Sequence, residues 1–141
     1  MSQETTQNRY ERGWAKLMEV DRGAGEQLMA ALRDVSPDLE RFAIEFPFGD
    51  IYSRPGLDFK AREMAAVAGL TAMNNSLPQL KAHMHAALNV GATPEEIKEV
   101  IIQMTIYAGF GASVNGMIAA KEVFREREQL KKNGAVTQNV G

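Results

Sequence analysis

Apolar residues recur three and four positions apart along most of this chain, and no stretch sustains the strict alternation of a half-buried strand. That pattern predicts an all-α domain of about six helices. The first is expected over residues 8–33, with Trp14, Leu17, Met18, Leu28 and Leu32 as buried positions. Gly23 and Gly25 weaken its middle enough for a bend or break. "SPDLERFAIEF" opens a second helix at about residue 37: Ser36 serves as N-cap, Pro37 takes the first helical position, and acidic residues complement the free N–H groups. It is expected to end near 48–49 or slightly later, before the turn "YSRPGLD".

Asp58 caps a third helix running to about Asn74, and "AREMAAVAGLTAM" has the small apolar composition of a central helix packed on several sides. Ser76 is the expected cap of a fourth, with Pro78 tolerated in its first turn and Gly91 closing it in a left-handed conformation. "TPEE" then places Thr93 and Glu96 at capping-box spacing, with Pro94 at the first helical position of a fifth helix reaching about Ala108. "GFG" interrupts the pattern before a sixth, with Val114, Met117, Ile118, Val123 and Phe124 on or near its apolar side. The expected organisation is one domain over residues 1–131 and a frayed tail over 132–141. Apolar residues encircle much of 64–73 and 97–118, so a homo-oligomer is expected to cover them, a well-filled monomeric core being the alternative.

The 141 residues suffice for one core. No apolar run approaches the about 18 to 20 residues that cross a bilayer, so no membrane partner is expected. The polar start "MSQETTQNRYERG" has no signal-peptide core, and the expected location is cytoplasmic. A net charge of −2 without a basic block gives no footprint for nucleic acid. The chain has no cysteine, which removes thiol nucleophiles, thiolate metal sites and disulfide redox chemistry together. Its two histidines, His83 and His85, stand at i and i+2, where helical side chains diverge, so no metal site is expected.

Phosphate loops, nucleophile elbows and dinucleotide fingerprints are absent. The polar groups left at the ends of apolar helices are Arg54 in the turn, Arg62 and Glu63 in the first turns of the third helix, and Lys81, His83 and His85 on the fourth. Spacing alone leaves each open. His83 also fits a partly buried residue bonded to a neighbouring helix, Arg62 and Glu63 a solvated helix start, and Asn115 either an interhelix bond or a pocket donor.

Taken together, "GDIYSRPGLDFKARE", "KAH" followed by "AALNVGATPEEIKEVIIQ", and "YAGF" resemble the carboxymuconolactone decarboxylase family over roughly residues 36–124. The resemblance implies the helical fold of alkylhydroperoxidase D, whose members carry C-x-x-C-x-x-x-H on the corresponding helix. With the family histidine at His83, Ser76 and Gln79 stand where the cysteines would be. Dithiol peroxide reduction is therefore not expected, and the decarboxylase branch is. Where the decarboxylases commonly carry Arg, this chain has His85.

The resemblance further implies decarboxylation of a small carboxylated butenolide, 4-carboxymuconolactone, to an enol-lactone and CO2, with no cofactor. His83 is then the candidate general acid and Glu63 its orienting or relaying partner. Arg54, Arg62 and His85 are the candidates for substrate binding. It also implies a homohexamer built as a trimer of dimers. Decarboxylation or isomerisation of another small lactone or keto acid, and a non-catalytic ligand-binding oligomer, are the alternatives.

Overall fold

The computed structural model describes residues 3–138, with side chains described over 8–134. All regular structure among them is helical: α1 (Gln3–Val20), α2 (Arg22–Leu32), α3 (Pro37–Ile44), a π-helical segment (Glu45–Ile51), α4 (Phe59–Met73), α5 (Leu77–Asn89), α6 (Pro94–Gln103), the short α7 (Thr105–Ala108) and α8 (Phe110–Gln138). The chain divides into two compact units, Met1–Arg62 and Glu63–Gly141, the division falling inside α4.

In the first unit the expected long helix is broken, at Asp21 rather than at the glycines. Asp21 adopts extended backbone and its Oδ1 accepts from Ala24 N–H at 3.0 Å, so it starts α2 afresh as an N-cap. Gly25 serves packing instead, because a Cβ there would lie 2.5 Å from Met18 Cε. Ser36 caps α3 as expected, accepting from Leu39 N–H at 3.3 Å.

Pro47 stops the α-helical ladder that begins at Pro37. Lacking an N–H and crowding the carbonyl four residues back, it shifts the chain into the wider π pattern, visible where Tyr52 N–H donates to Pro47 O at 2.8 Å. α1 crosses this segment backbone to backbone. A Cβ on Gly13 would lie 2.4 Å from Ile44 O, and one on Gly49 would lie 2.7 Å from Arg9 O. Trp14 lies parallel to Tyr10 within α1, ring centroids 6.4 Å apart.

The second unit closes around Val67 of α4, Leu80, Met84 and Ala87 of α5, Ile97 and Ile101 of α6, and Ala119, Ala120 and Val123 of α8. Gly116 lets α8 approach closely, since a Cβ there would meet Thr71 Cγ2 at 2.9 Å. Asp58 caps α4 through Ala61 N–H at 2.8 Å, and Gly91 takes the expected left-handed conformation at φ +104°. The Thr93–Glu96 capping box closes in both directions, at 3.1 and 2.9 Å.

Three expectations change here. Ser76 marks the start of α5, but its hydroxyl donates to Asn75 Oδ1 and caps no N–H. The fifth helix stops at Gln103 and resumes as α7, with Thr105 Oγ1 donating back to Ile102 O at 2.7 Å. α4 is not enclosed within the single chain: Glu63, Val67 and Thr71 are buried, whereas Met73 is exposed. Val114 and Ile118 of α8 are exposed as well. α8 continues through Gln138, and residues 139–141 of the expected tail lie outside the described residues.

Candidate functional site

α4 and α5 bring two of the candidate residues into direct contact. Glu63 starts the buried stripe Glu63–Val67–Thr71, whose four-residue spacing keeps all three on one face of α4. On α5, Leu80, Met84 and Ala87 face the core and fix the helix's rotation. His83 thereby meets α4: its Nδ1 lies 2.7 Å from Glu63 Oε2.

The two side chains differ sharply in exposure, Glu63 at 0% and His83 at 29%. The contact is made through Nδ1, which orients the ring so that Nε2 is the nitrogen available to a ligand. Glu63 Oε1 is buried with no hydrogen-bond partner among the described residues.

Arg54 and Arg62 meet in the first unit. Arg62 Nη2 donates to the Arg54 backbone carbonyl at 2.9 Å, and the guanidinium lies over the Tyr52 ring, 5.8 Å from its centroid. Arg62 Nε is buried with no hydrogen-bond partner among the described residues, while Arg54 is exposed. Arg62 and Glu63 are consecutive on α4.

His85 follows a different path from His83, as i and i+2 positions on a helix require. Its Nε2 lies 2.7 Å from Glu126 Oε2 on α8, and Lys81 Nζ reaches Glu126 Oε1 at 2.6 Å and Glu122 Oε2 at 3.1 Å. The bond from Lys81, then that from His85, holds the Glu126 carboxyl below its ordinary range. Glu126, then Glu122, raises Lys81. A carboxylate-binding role for His85 would therefore fall to its Nδ1. Asn115 Nδ2 donates to Asn74 Oδ1 at 2.9 Å, an interhelix bond that steadies the left-handed end of α4 at Asn74.

No group of three or more His, Asp or Glu side chains among the described residues could hold a metal ion. No described helix is long and apolar enough to cross a membrane. Sequence reading passed over Tyr52, which supports Arg62; its place in "DIYSRP", between two aromatic neighbours of the turn, was the available signal.

The sequence profile of the carboxymuconolactone decarboxylase family matches residues 37–122, a span that contains Arg54, Arg62, Glu63, His83 and His85. The chain belongs to the carboxymuconolactone decarboxylase family. Within or alongside that family, it is 37% identical over 95 residues to a 4-carboxymuconolactone decarboxylase of Acinetobacter baylyi, covering 67% of this chain and 70% of the relative. It is 31% identical over 102 residues to an uncharacterized 15.0 kDa protein of Paracoccus denitrificans, covering 72% and 76%. A nitrosuccinic acid decarboxylase of Metarhizium robertsii is 28% identical over 104 residues, with 72% of each chain covered. Family membership and the helical architecture thus agree with the resemblance read from the motifs.

Proposed function

We propose that the protein is a decarboxylase of small dicarboxylic acids that carry their own electron sink, with 4-carboxymuconolactone as the leading substrate. The observation that carries this reading is the Glu63–His83 pair: a fully buried carboxylate holding the inner nitrogen of a partly exposed imidazole at 2.7 Å. Two relatives named for decarboxylation support it.

Their two named substrates share a chemical unit. Each has a carboxylate on a carbon bonded to an acetate arm, and each couples that carbon to an acceptor: the unsaturated lactone in one, the nitro group in the other. Loss of CO2 breaks the C–C bond and leaves its electron pair on the acceptor, as a dienolate or a nitronate. A proton then neutralises the product. For the butenolide, the pair spreads through the ring double bond to the lactone carbonyl, and protonation of the ring carbon next to that carbonyl gives the enol-lactone.

His83 is the proton donor in this scheme: as the imidazolium it releases the proton on Nε2 and keeps its Nδ1–H on Glu63, which orients the ring. Arg54 and Arg62 supply two cations for two carboxylates, and planar guanidinium groups suit that task. The exposed apolar residues of α6 to α8 support a homo-oligomer, with a hexamer as the proposed assembly.

The test is turnover of 4-carboxymuconolactone by the purified protein, followed as CO2 release, with nitrosuccinate as the second substrate and His83→Ala as the control. The expected result is turnover of the lactone, reduced about 100-fold or more in the variant. Turnover of nitrosuccinate alone would transfer the assignment to that acid. No decarboxylation of either would overturn the enzymatic reading in favour of a binding role on the same scaffold.

A further inference from the structure

The support of Arg62 traces back through a nearby turn to a helix far from it in sequence. Its two contacts, the Arg54 carbonyl and the Tyr52 ring, both belong to the turn that follows the π segment. That turn is built directly on the segment: Tyr52 N–H donates to Pro47 O at 2.8 Å, Ser53 Oγ to Phe48 O at 2.8 Å, and Arg54 N–H to Ile51 O at 3.1 Å. The Tyr52 ring leans on Phe48, centroids 4.9 Å apart, and on Phe59 at 6.3 Å.

α1 in turn grips the segment. Arg12 Nε donates to the Gly49 carbonyl at 2.7 Å, and Arg9 grips both oxygens of Asp50, one of them through Nε at 3.1 Å. Arg12 Nη2 adds a longer contact to Asp50 Oδ1 at 3.4 Å. Gly13 and Gly49 permit the backbones to meet beneath these side chains.

We propose that Arg9 and Arg12 of α1 are positioning residues for Arg62, acting through Gly49 and Asp50 of the π segment and the turn at Tyr52 and Arg54. The inference rests on the reading of Arg62 as a carboxylate-binding group. α1 lies outside residues 37–122, so this brace is supplied by a part of the chain that the family profile does not include. A π segment is a rare, wider turn of helix, and its rotation decides where Tyr52 and the Arg54 carbonyl stand. Misplacing a clamp by about 1 Å is enough to cost an enzyme up to about 100-fold.

The test compares Arg62→Ala, Arg9→Ala/Arg12→Ala, Asp50→Asn and Arg12→Lys on an Arg9-intact background. KM and kcat are measured for 4-carboxymuconolactone, and the affinity for succinate, a dicarboxylate without the electron sink, is measured by calorimetry. The expected result is that Arg62→Ala and Arg9→Ala/Arg12→Ala both raise KM and weaken succinate binding about tenfold, while kcat stays within about twofold. Arg12→Lys, which keeps a donor for Gly49 O, is expected to retain most of the affinity. Asp50→Asn removes the charged grip and leaves the Gly13–Gly49 contact, so it answers the question if the double variant does not fold.

A rise in KM and succinate dissociation constant for Arg62→Ala, with none for folded Arg9→Ala/Arg12→Ala or Asp50→Asn, would overturn the positioning role alone. No change in either quantity for Arg62→Ala would overturn the carboxylate reading, and the positioning role with it. A fall in kcat at constant KM in the α1 variants would also count against it, because that pattern belongs to the proton-transfer step.

Discussion

Glu63 is cut off from solvent yet bonds through one oxygen, Oε2, to His83. In the proposed reaction its value would be geometric: buried away from water, it would act by fixing the His83 ring. Glu63→Gln keeps the volume and an acceptor for Nδ1–H but removes the charge. The expected outcome is a fall in kcat of about 10- to 100-fold with little change in KM and an unaltered far-ultraviolet circular dichroism spectrum. Unchanged kcat would reduce Glu63 to a packing residue.

The sequence made both partners legible as chemistry-bearing groups, but not the bond between them, since the rotation of α5 against α4 is decided by Leu80, Met84 and Val67 in the core. His85 illustrates the limit. Two positions from His83 in the sequence, it binds α8 instead of α4, a divergence that helical spacing announces without naming the partner.

Among the elements, boundaries set by local chemistry were the readable ones. Ser36, Asp58, Gly91 and the Thr93–Glu96 box each act within three or four residues, and each stands where the sequence placed it. The π segment was not readable, because Pro47 says only that the α-ladder must fail and not what replaces it. What holds the replacement is α1, more than thirty residues away, and the backbone contact at Gly13 is its tightest point. Gly13→Ala is expected to destabilise the fold by about 1–3 kcal/mol in denaturant unfolding. An unchanged midpoint would show that α1 does not press on the segment in solution.

The tie between α5 and α8 has its own signature in acid. Glu126 has a folded pKa depressed by Lys81 and His85, so its stabilisation is complete above the ordinary glutamate value of about 4.3 and is lost as pH falls through the lower folded value. Glu126→Gln is expected to be less stable than the native chain at neutral pH and to show a shallower loss of stability below about pH 4.3, read from thermal midpoints across pH. Parallel curves for the two proteins would show that the tie contributes nothing to folding.

For the whole molecule, the all-α class followed from periodicity alone, while the division at Arg62 and Glu63 had no sequence signal, because it falls inside a continuous helix. Ile106, Tyr107 and Phe110 around the α7–α8 junction are each about three-quarters exposed. A groove of about 510 Å³ is lined by Lys98 of α6 and by Val114, Met117, Ile118, Phe124 and Arg125 of α8. An apolar face of this kind is what a second copy covers in the proposed homo-oligomer. Light scattering of the native chain is expected to give a multiple of the chain mass, and Ile106→Glu/Phe110→Glu a smaller species. A monomeric native protein would reject the assembly.

Trp14 is the sole tryptophan of the chain, and it sits in α1, on the helix that grips the π segment. Intrinsic fluorescence excited at the red edge therefore reports on the first unit, while most of the second is spectroscopically dark. Helix content, by contrast, reports on both. The native protein thus carries a built-in label for the brace: a fluorescence transition that precedes the loss of helicity would time the release of α1 without any chemical modification.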